Sequence, residues 1–375
     1  MRSIWILLMV ILACAGLKGE TVPDSVPNPL SAQQAADGWI SLFDGESTSG
    51  WKVRGEARVE KGVLVVGGDD EATLETAFTL PRSQAIHVQT DWQGTTPPRI
   101  VRMGSRFPDG PKAGELLKEP RGKFQTHTTS EMAEGSPRSP LAFQIPAGSK
   151  LLLRDVRVRP LGAKSLFNGK DLTGWKVYRG ELKRERSRWT VTPEGWLDLK
   201  DGPGDLQTEK TFSDFLLQAE CRSNGKHLNS GIFFRCLPGQ YQQGYEAQIR
   251  NQFLMAPSQK YSVEEYDPAT NKLLGKKMVQ SPAVDFGTGA IYRRIPAKKG
   301  VAKDEEWFTM TILARGRQIA TWVNGVSIVD WSDHRPRAAN GRNGYFAGPG
   351  AISIQGHDPT TDLRFRNIRI VSMDQ

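Results

Sequence analysis

Four short stretches set side chains capable of proton transfer or strong hydrogen bonding two residues apart. In GYEAQIRNQF, residues 244–253, Glu246, Gln248 and Arg250 alternate with Tyr245, Ala247 and Ile249. In AISIQGH, Ser353, Gln355 and His357 alternate with Ile352 and Ile354. In IFFRC, Phe233 and Arg235 alternate with Ile232, Phe234 and Cys236, and in LLQAECR, Gln218, Glu220 and Arg222 alternate with Leu217, Ala219 and Cys221. A period of two belongs to a β-strand, so each stretch has one apolar face and one functional face. A carboxyl and an imidazole can exchange protons with a bound molecule, while amides and guanidiniums hold its oxygens.

If these strands are neighbours in one sheet, Arg235, Glu246, Gln248, Gln355 and His357 converge on one surface. That set suits a polyhydroxylated ligand such as a sugar. Trp307, Trp322, Phe233 and Tyr292 are the aromatics available for the C–H face of a sugar ring. A curved antiparallel β-sandwich of jelly-roll type supplies a concave surface of this kind. The plainer reading of any single member is solvated strand surface, since charged residues are mostly exposed.

The elements around these strands are also β. The chain of 375 residues has 38 Gly, 23 Pro and 10 Trp, and its apolar runs are short and alternating. This predicts an all-β protein with many turns. An internal repeat divides it into two tandem β units. SLFDGESTSGWKV, residues 41–53, recurs as SLFNGKDLTGWKV, residues 165–177, and the unit ends KLLLRDVRVRPLG and TDLRFRNIRIVSM are similar. The units span residues 37–160 and 161–375. The functional strands belong to the second, and the first carries a Pro- and Gly-broken stretch in the equivalent region. Asn324-Gly325, between β-rich segments, is a strong hairpin signal.

The N-terminus, MRSIWILLMVILACAGLKGE, has the layout of a secretory signal peptide over residues 1–19. Cys14 stands where a lipoprotein signal would place its acylated cysteine, and ordinary cleavage near Ala13 to Ala15 fits equally. Residues 20–36 read as a linker. These features predict an exported protein, periplasmic or extracellular, with a lipid anchor at Cys14 as the one route to a membrane. Cys221 and Cys236 flank an expected hairpin and are either a disulfide or two buried thiols. The formal charge of +9 is spread along the chain with acids interspersed and accompanies no nucleic-acid-binding motif, so no nucleic-acid partner is expected.

SLFNGKDLTGW, NSGIFFR, GYEAQI, FGTGAIYRR, EWFTMTILARGRQIATWVNG and ISIQGHDPTTDLRFRNIRI occur in this order, and together they resemble the 3-keto-disaccharide hydrolase domain family. The resemblance covers residues 161–375, and the first unit resembles only the family's opening and closing strands. It implies a concanavalin A-like β-sandwich that cleaves glycosides already oxidised at carbon 3 by a partner sugar oxidoreductase. It further implies that Arg235, Glu246, Gln248, Tyr292, Gln355 and His357 line the sugar site. Many relatives have QDHG where this chain has QGHD, so Gly356 replaces an acid and Asp358 follows the histidine.

A ketone at C3 acidifies the C2 proton. A base that removes it lets the C1 oxygen leave, after which water adds back. His357 or Glu246 is then the base and Arg235 the electrostatic stabiliser. Glu246 and His357 are also of the right type to hold a divalent metal, although their spacing gives no ligand signature. Glu220, facing as Glu246 does, is a candidate substrate-binding residue; a two-carboxylate mechanism with it is the less attractive reading, because nothing in the sequence fixes a separation. A non-catalytic carbohydrate-binding module is the alternative from another class.

Overall fold

The computed structural model describes residues 30–79, 81, 84–94, 96–102, 124–129, 140–255 and 259–373. The leader, Cys14, most of the linker and much of the Pro- and Gly-broken stretch of the first unit lie outside them. Among the described residues no helix is long and apolar enough to cross a membrane.

The second unit is a sandwich of two antiparallel sheets. The front sheet has five strands in the order Trp175–Val177, Gly204–Phe212, Gly350–Gly356, Ser230–Cys236 and Tyr245–Ile249. The back sheet runs Arg188–Val191, Leu197–Lys200, Asp362–Ser372, Phe215–Ser223, Phe308–Arg315, Gln318–Val323 and Val326–Ser332, with Lys164–Ser165 added beside Asp362–Ser372. Alternation decides what faces what. Leu206, Ile232, Phe234, Ala247, Ile249, Ile352 and Ile354 of the front sheet meet Leu217, Ala219, Phe308, Met310, Ile312 and Phe365 of the back sheet in one core. Each such side chain contributes roughly 1.5–3 kcal/mol by leaving water. The polar residues of the front sheet are thereby forced outward.

The first unit repeats the plan at smaller scale. One sheet runs Ala57–Glu60, Val63–Val66, Ser149–Pro160, Gln84–Gly94 and Gln125–Thr129, and the other Trp51–Arg54, Ala72–Thr76, Leu141–Ile145 and Arg99–Arg102. The sequence repeat survives as matching hydrogen bonds. Trp51 Nε1 donates to the Leu42 carbonyl at 2.7 Å, and Trp175 Nε1 to that of Leu166 at 2.8 Å. A buried indole needs such a partner, which explains the fixed distance from Leu-Phe to Gly-Trp. Asp44 accepts from the amides of Glu46 and Ser47, as Asn168 does from those of Lys170 and Asp171. Both residues stabilise the same turn.

The two units share a core. Leu216, Leu313, Ala320 and Trp322, on the outer face of the back sheet, pack with Ile40, Leu42, Phe43 and Phe78 of the first unit. Trp322 is only 1% exposed, donates to the Ser41 carbonyl at 3.0 Å and stands edge-on to Phe78, so it is a joint residue and not a ligand-stacking one. Lys298 Nζ also reaches Asp44 at 3.1 Å and Ser49 Oγ at 3.3 Å, and Lys299 reaches Glu46 at 3.1 Å.

The Asn324-Gly325 hairpin is present, with both residues at positive φ, 49° and 74°, as its turn type requires. The hairpin expected around residue 228 is not. Phe215–Ser223 lies in the back sheet and Ser230–Cys236 in the front one, so the chain crosses the sandwich between them. Cys221 therefore faces the main core, Cys236 packs with Phe233 and Ala351, and both are buried free thiols.

Candidate functional site

A cleft of about 340 Å³ lies on the outer face of the front sheet. Phe233, Glu246, Gln248 and Gln355 form its floor, His357 and Asn229 one end, and Tyr292, Arg293, Arg294 and Arg342 its rim. The rim is fixed by the backbone. The Tyr245–Ile249 strand has no neighbouring strand on its far side, and residues 289–292 run along that edge instead. Gln248 N–H donates to the Ala290 carbonyl at 3.0 Å, and Gly289 and Tyr292 donate to the Gln248 and Glu246 carbonyls at 2.9 and 3.0 Å. The FGTGAIYRR stretch thus covers an exposed sheet edge and delivers Tyr292 to the cleft.

The Glu246 carboxyl lies over Gly231, diagonally across the strand pair. A Cβ at Gly231 would stand 2.8 Å from Glu246 Oε1. The glycine of NSGIFFR is therefore the space in which this acid sits. Burial pushes the Glu246 carboxyl up to about 8, nearby Asp285 and Asp205 push it the same way, and Arg342 and Arg293 oppose them. At neutral pH Glu246 holds a proton that it can give.

His357 is held between two partners. Its Nδ1 is 2.8 Å from Asp358 Oδ2, and its Nε2 is 3.3 Å from the Asn229 amide nitrogen, which also donates to Asp285 Oδ2 at 3.1 Å. A carboxylate only accepts, so Nδ1 carries the hydrogen. Two acceptors fix the Asn229 amide, leaving Nε2 as the basic nitrogen. Burial acts to raise the Asp358 carboxyl, but hydrogen bonds from Thr360 and His357 prevail and hold it below the usual range. At Gly356 a Cβ would stand 2.0 Å from Ser187 Oγ. The acid beside the histidine is supplied from the following position instead.

Gln248 Nε2 donates to the Asp285 carbonyl at 3.1 Å and lies 3.3 Å from its carboxylate, which orients the amide on the cleft floor. Two residues lining the cleft carry a buried polar atom without a hydrogen-bond partner among the described residues, Gln355 Oε1 and Asn229 Oδ1. Such atoms are costly unless a ligand or solvent meets them.

Arg235, Glu220, Trp307 and Arg250 lie elsewhere, as Trp322 does. Arg235 is fully buried and bonds to the carbonyls of Ser213, Gly316 and Phe346 and to Asp214. Its φ of +51° coincides with a register shift between Phe233 and Cys236, so strict alternation fails at that residue. Arg235 ties turns together and does not face the cleft. Glu220 lies in the back sheet, paired with Arg366 at 2.9 Å, so no two-carboxylate arrangement with Glu246 exists. Trp307 packs edge-to-face on Trp196 beneath the Arg366 guanidinium, on that same side of the molecule. Arg250 turns to the His227 carbonyl and Gln252, outside the cleft.

Several residues that line the cleft or support its lining escaped the sequence reading. Asp205 is paired across strands with Gln355, is 0% exposed, and has its carboxyl pushed up to about 7 by burial. Its strand, GDLQ, shows the same alternation as the others, which was the available signal. Asn229 lies within NSGIFFR and Arg293-Arg294 within FGTGAIYRR, but Arg342 and Asp285 come from loops with no periodicity to mark them.

Among the described residues no group of three or more His, Cys, Asp or Glu is placed to hold a metal. Glu246 and His357 lack a third donor among the described residues. The residues present do not fit a divalent cation, and no step is assigned to one.

Fold and cleft together define a jelly-roll β-sandwich with a polar cleft on the outer face of its front sheet. The chain belongs to the 3-keto-alpha-glucoside-1,2-lyase-like domain family, whose sequence model matches residues 162–371. No curated protein matches it. Among solved structures it is similar to a Parabacteroides distasonis protein assigned as a glycosyl hydrolase, at 21% identity and a TM-score of 0.41 over 57% of this chain and 94% of that one. It is also similar to a carbohydrate-binding module of Bacillus subtilis, at 13% identity and a TM-score of 0.33 over 53% and 96%. A Bacillus licheniformis beta-glucanase is similar at 15% identity and a TM-score of 0.31 over 56% and 98%.

Proposed function

We propose that the front-sheet cleft cleaves the glycosidic bond of a 3-keto sugar by elimination followed by hydration. One observation carries this reading: Glu246, which keeps its proton at neutral pH, and His357, whose basic Nε2 is fixed by Asp358 and Asn229, line the same cleft. Two titratable groups with opposite proton preferences in one site are an acid and a base.

His357 Nε2 takes the C2 proton, and the electron pair released forms the C1–C2 double bond conjugated with the C3 ketone. The C1–O bond breaks, and the departing oxygen receives the Glu246 proton. Water then adds at C1 and a proton returns to C2, so the net change is hydrolysis and both residues regain their starting states. Gln248, Gln355 and Tyr292 line the cleft, and in this reading they meet the sugar hydroxyls and the ketone oxygen. The stabilising cation assigned by sequence to Arg235 falls to Arg342 on the rim, the first cation acting on Glu246. The 3-keto substrate would come from a sugar oxidoreductase acting earlier.

The test is product analysis with a 3-keto glucoside and its unoxidised parent, on the wild type and on Glu246→Gln and His357→Ala. Cleavage confined to the keto substrate and lost in both variants supports the reaction. Glycan binding without turnover of either substrate overturns it in favour of a carbohydrate-binding module.

A further inference from the structure

Beyond the Arg293–Arg294 rim lies a second hollow of about 260 Å³. Glu264, Tyr266 and Lys277 of the hairpin formed by Gln259–Tyr266 and Leu273–Ser281 line one side, and Trp331, His334 and Arg335 the other. The two arginines line both hollows, so a glycan longer than one unit that enters the first meets them next.

The charges around this ridge are unequally matched. Arg335 is neutralised by Asp333, at 2.9 and 2.8 Å, and Lys277 by Glu265 at 3.0 Å. Arg293, Arg294 and Arg342 have no such partner among the described residues. Arg294 donates to the Arg342 carbonyl at 2.7 Å, and Arg342 lies 3.4 Å from the Gln242 carbonyl. Arg293 sits 5.4 Å from the centre of the Tyr292 ring.

The carboxyls nearby leave the ridge unpaired. Asp285 is tied to Asn229 and Gln248 and Glu246 carries a proton, while Glu264 accepts from the Tyr266 hydroxyl, keeps its charge and is within electrostatic reach of Arg294 without forming an ion pair with it. Arg294 is half-buried, and burial together with the neighbouring Arg335 charge weakens its hold on its proton, against the opposing pull of Asp333 and Glu264. An anion at the ridge relieves that repulsion. Arg293 has a φ of +60°, a conformation that a non-glycine residue adopts at some energetic cost and that concentrates at ligand-binding positions. Guanidiniums bind carboxylates and sulfates through paired hydrogen bonds, whereas a neutral sugar closing over them leaves their charge unmatched.

We propose that the sugar unit seated against the Arg293–Arg294 ridge carries an anionic substituent, a carboxylate or a sulfate ester, so that the substrate class is an acidic glycan. This rests on the reading of the cleft as a glycan site. The test compares three disaccharides of one linkage: neutral, uronate-containing and sulfated. Dissociation constants are measured for the unoxidised sugars and kcat/KM for their 3-keto forms, on the wild type and on the double variant Arg293→Gln, Arg294→Gln.

The expected result is at least a tenfold preference for one anionic sugar over the neutral one. That preference should disappear in the double variant and shrink as salt is raised to about 1 M, where charges are screened within about 3 Å. The two anionic arms show which substituent is read. Equal binding of all three sugars, or a preference that survives in the double variant, overturns the inference and leaves the glycan site standing. Failure of every sugar to bind or react removes both. Arg293 is exposed and Arg294 half-buried, so the double variant should fold, which its thermal unfolding checks.

Discussion

Asp358 Oδ2 stands 2.8 Å from His357 Nδ1, and the other nitrogen of that ring meets the Asn229 amide at 3.3 Å. The pair fixes which imidazole nitrogen can act as base. Asp358→Asn removes the anion that holds the hydrogen on Nδ1. It should lower kcat on the order of 10–100-fold while KM moves only a few-fold. An unchanged kcat would remove Asp358 from any positioning role.

Glu246 makes stability as well as activity depend on pH. Its carboxyl is raised from 4.5 to about 8, so between those values the unfolded chain has lost this proton and the folded one keeps it. The group therefore destabilises the fold progressively as pH rises through that window, and no such penalty exists below it. Melting curves of wild type and Glu246→Gln should converge near pH 4 and separate toward pH 8, with the variant the more stable. Activity that relies on the Glu246 proton should fall above about pH 8.

Gly231→Ala is a test confined to one carboxyl. Gly231 needs no positive φ, so alanine suits its backbone, but the new Cβ would stand 2.8 Å from Glu246 Oε1. Activity should drop about tenfold or more as the acid is displaced. Stability should fall by no more than about 1 kcal/mol, because only the flexible end of a side chain must move. A large loss of stability without loss of activity would mean that the glycine serves the sheet and not the acid.

Arg235→Met should behave in the opposite way. The guanidinium is buried among three carbonyls and Asp214, all of which would lose their donor. Denaturant unfolding should show a loss of about 3 kcal/mol, while kcat per folded molecule stays near the wild-type value. A selective loss of kcat would return Arg235 to the site.

Period-two alternation was enough to place Glu246, Gln248, Gln355 and Phe233 outward on what became one sheet, because burial of Ile232, Ala247 and Ile354 leaves no other arrangement. It failed where a second piece of information was needed. Alternation states a face but not which sheet of a sandwich carries it, so Glu220 was grouped with strands on the opposite side. It also assumes an unbroken strand, and Arg235 occupies the one residue of register shift in its own. Arg342 and Asp285 come from loops whose course is set by tertiary contacts such as the Arg335–Asp333 fork and the Tyr261 hydroxyl bond to Phe286. No local pattern encodes those contacts.

The joint between the units bears on where this protein can be cut. The family match begins at residue 162, yet the back sheet it includes turns Leu216, Leu313 and Trp322 toward residues 40–78 and not toward water. A fragment trimmed to the match would present that surface bare, inviting self-association, and would free Lys298 and Lys299, six and seven residues after Tyr292, from their anchors. The first unit thus serves as a cover for the back of the second, and the structural unit that keeps this face buried is longer than the family match.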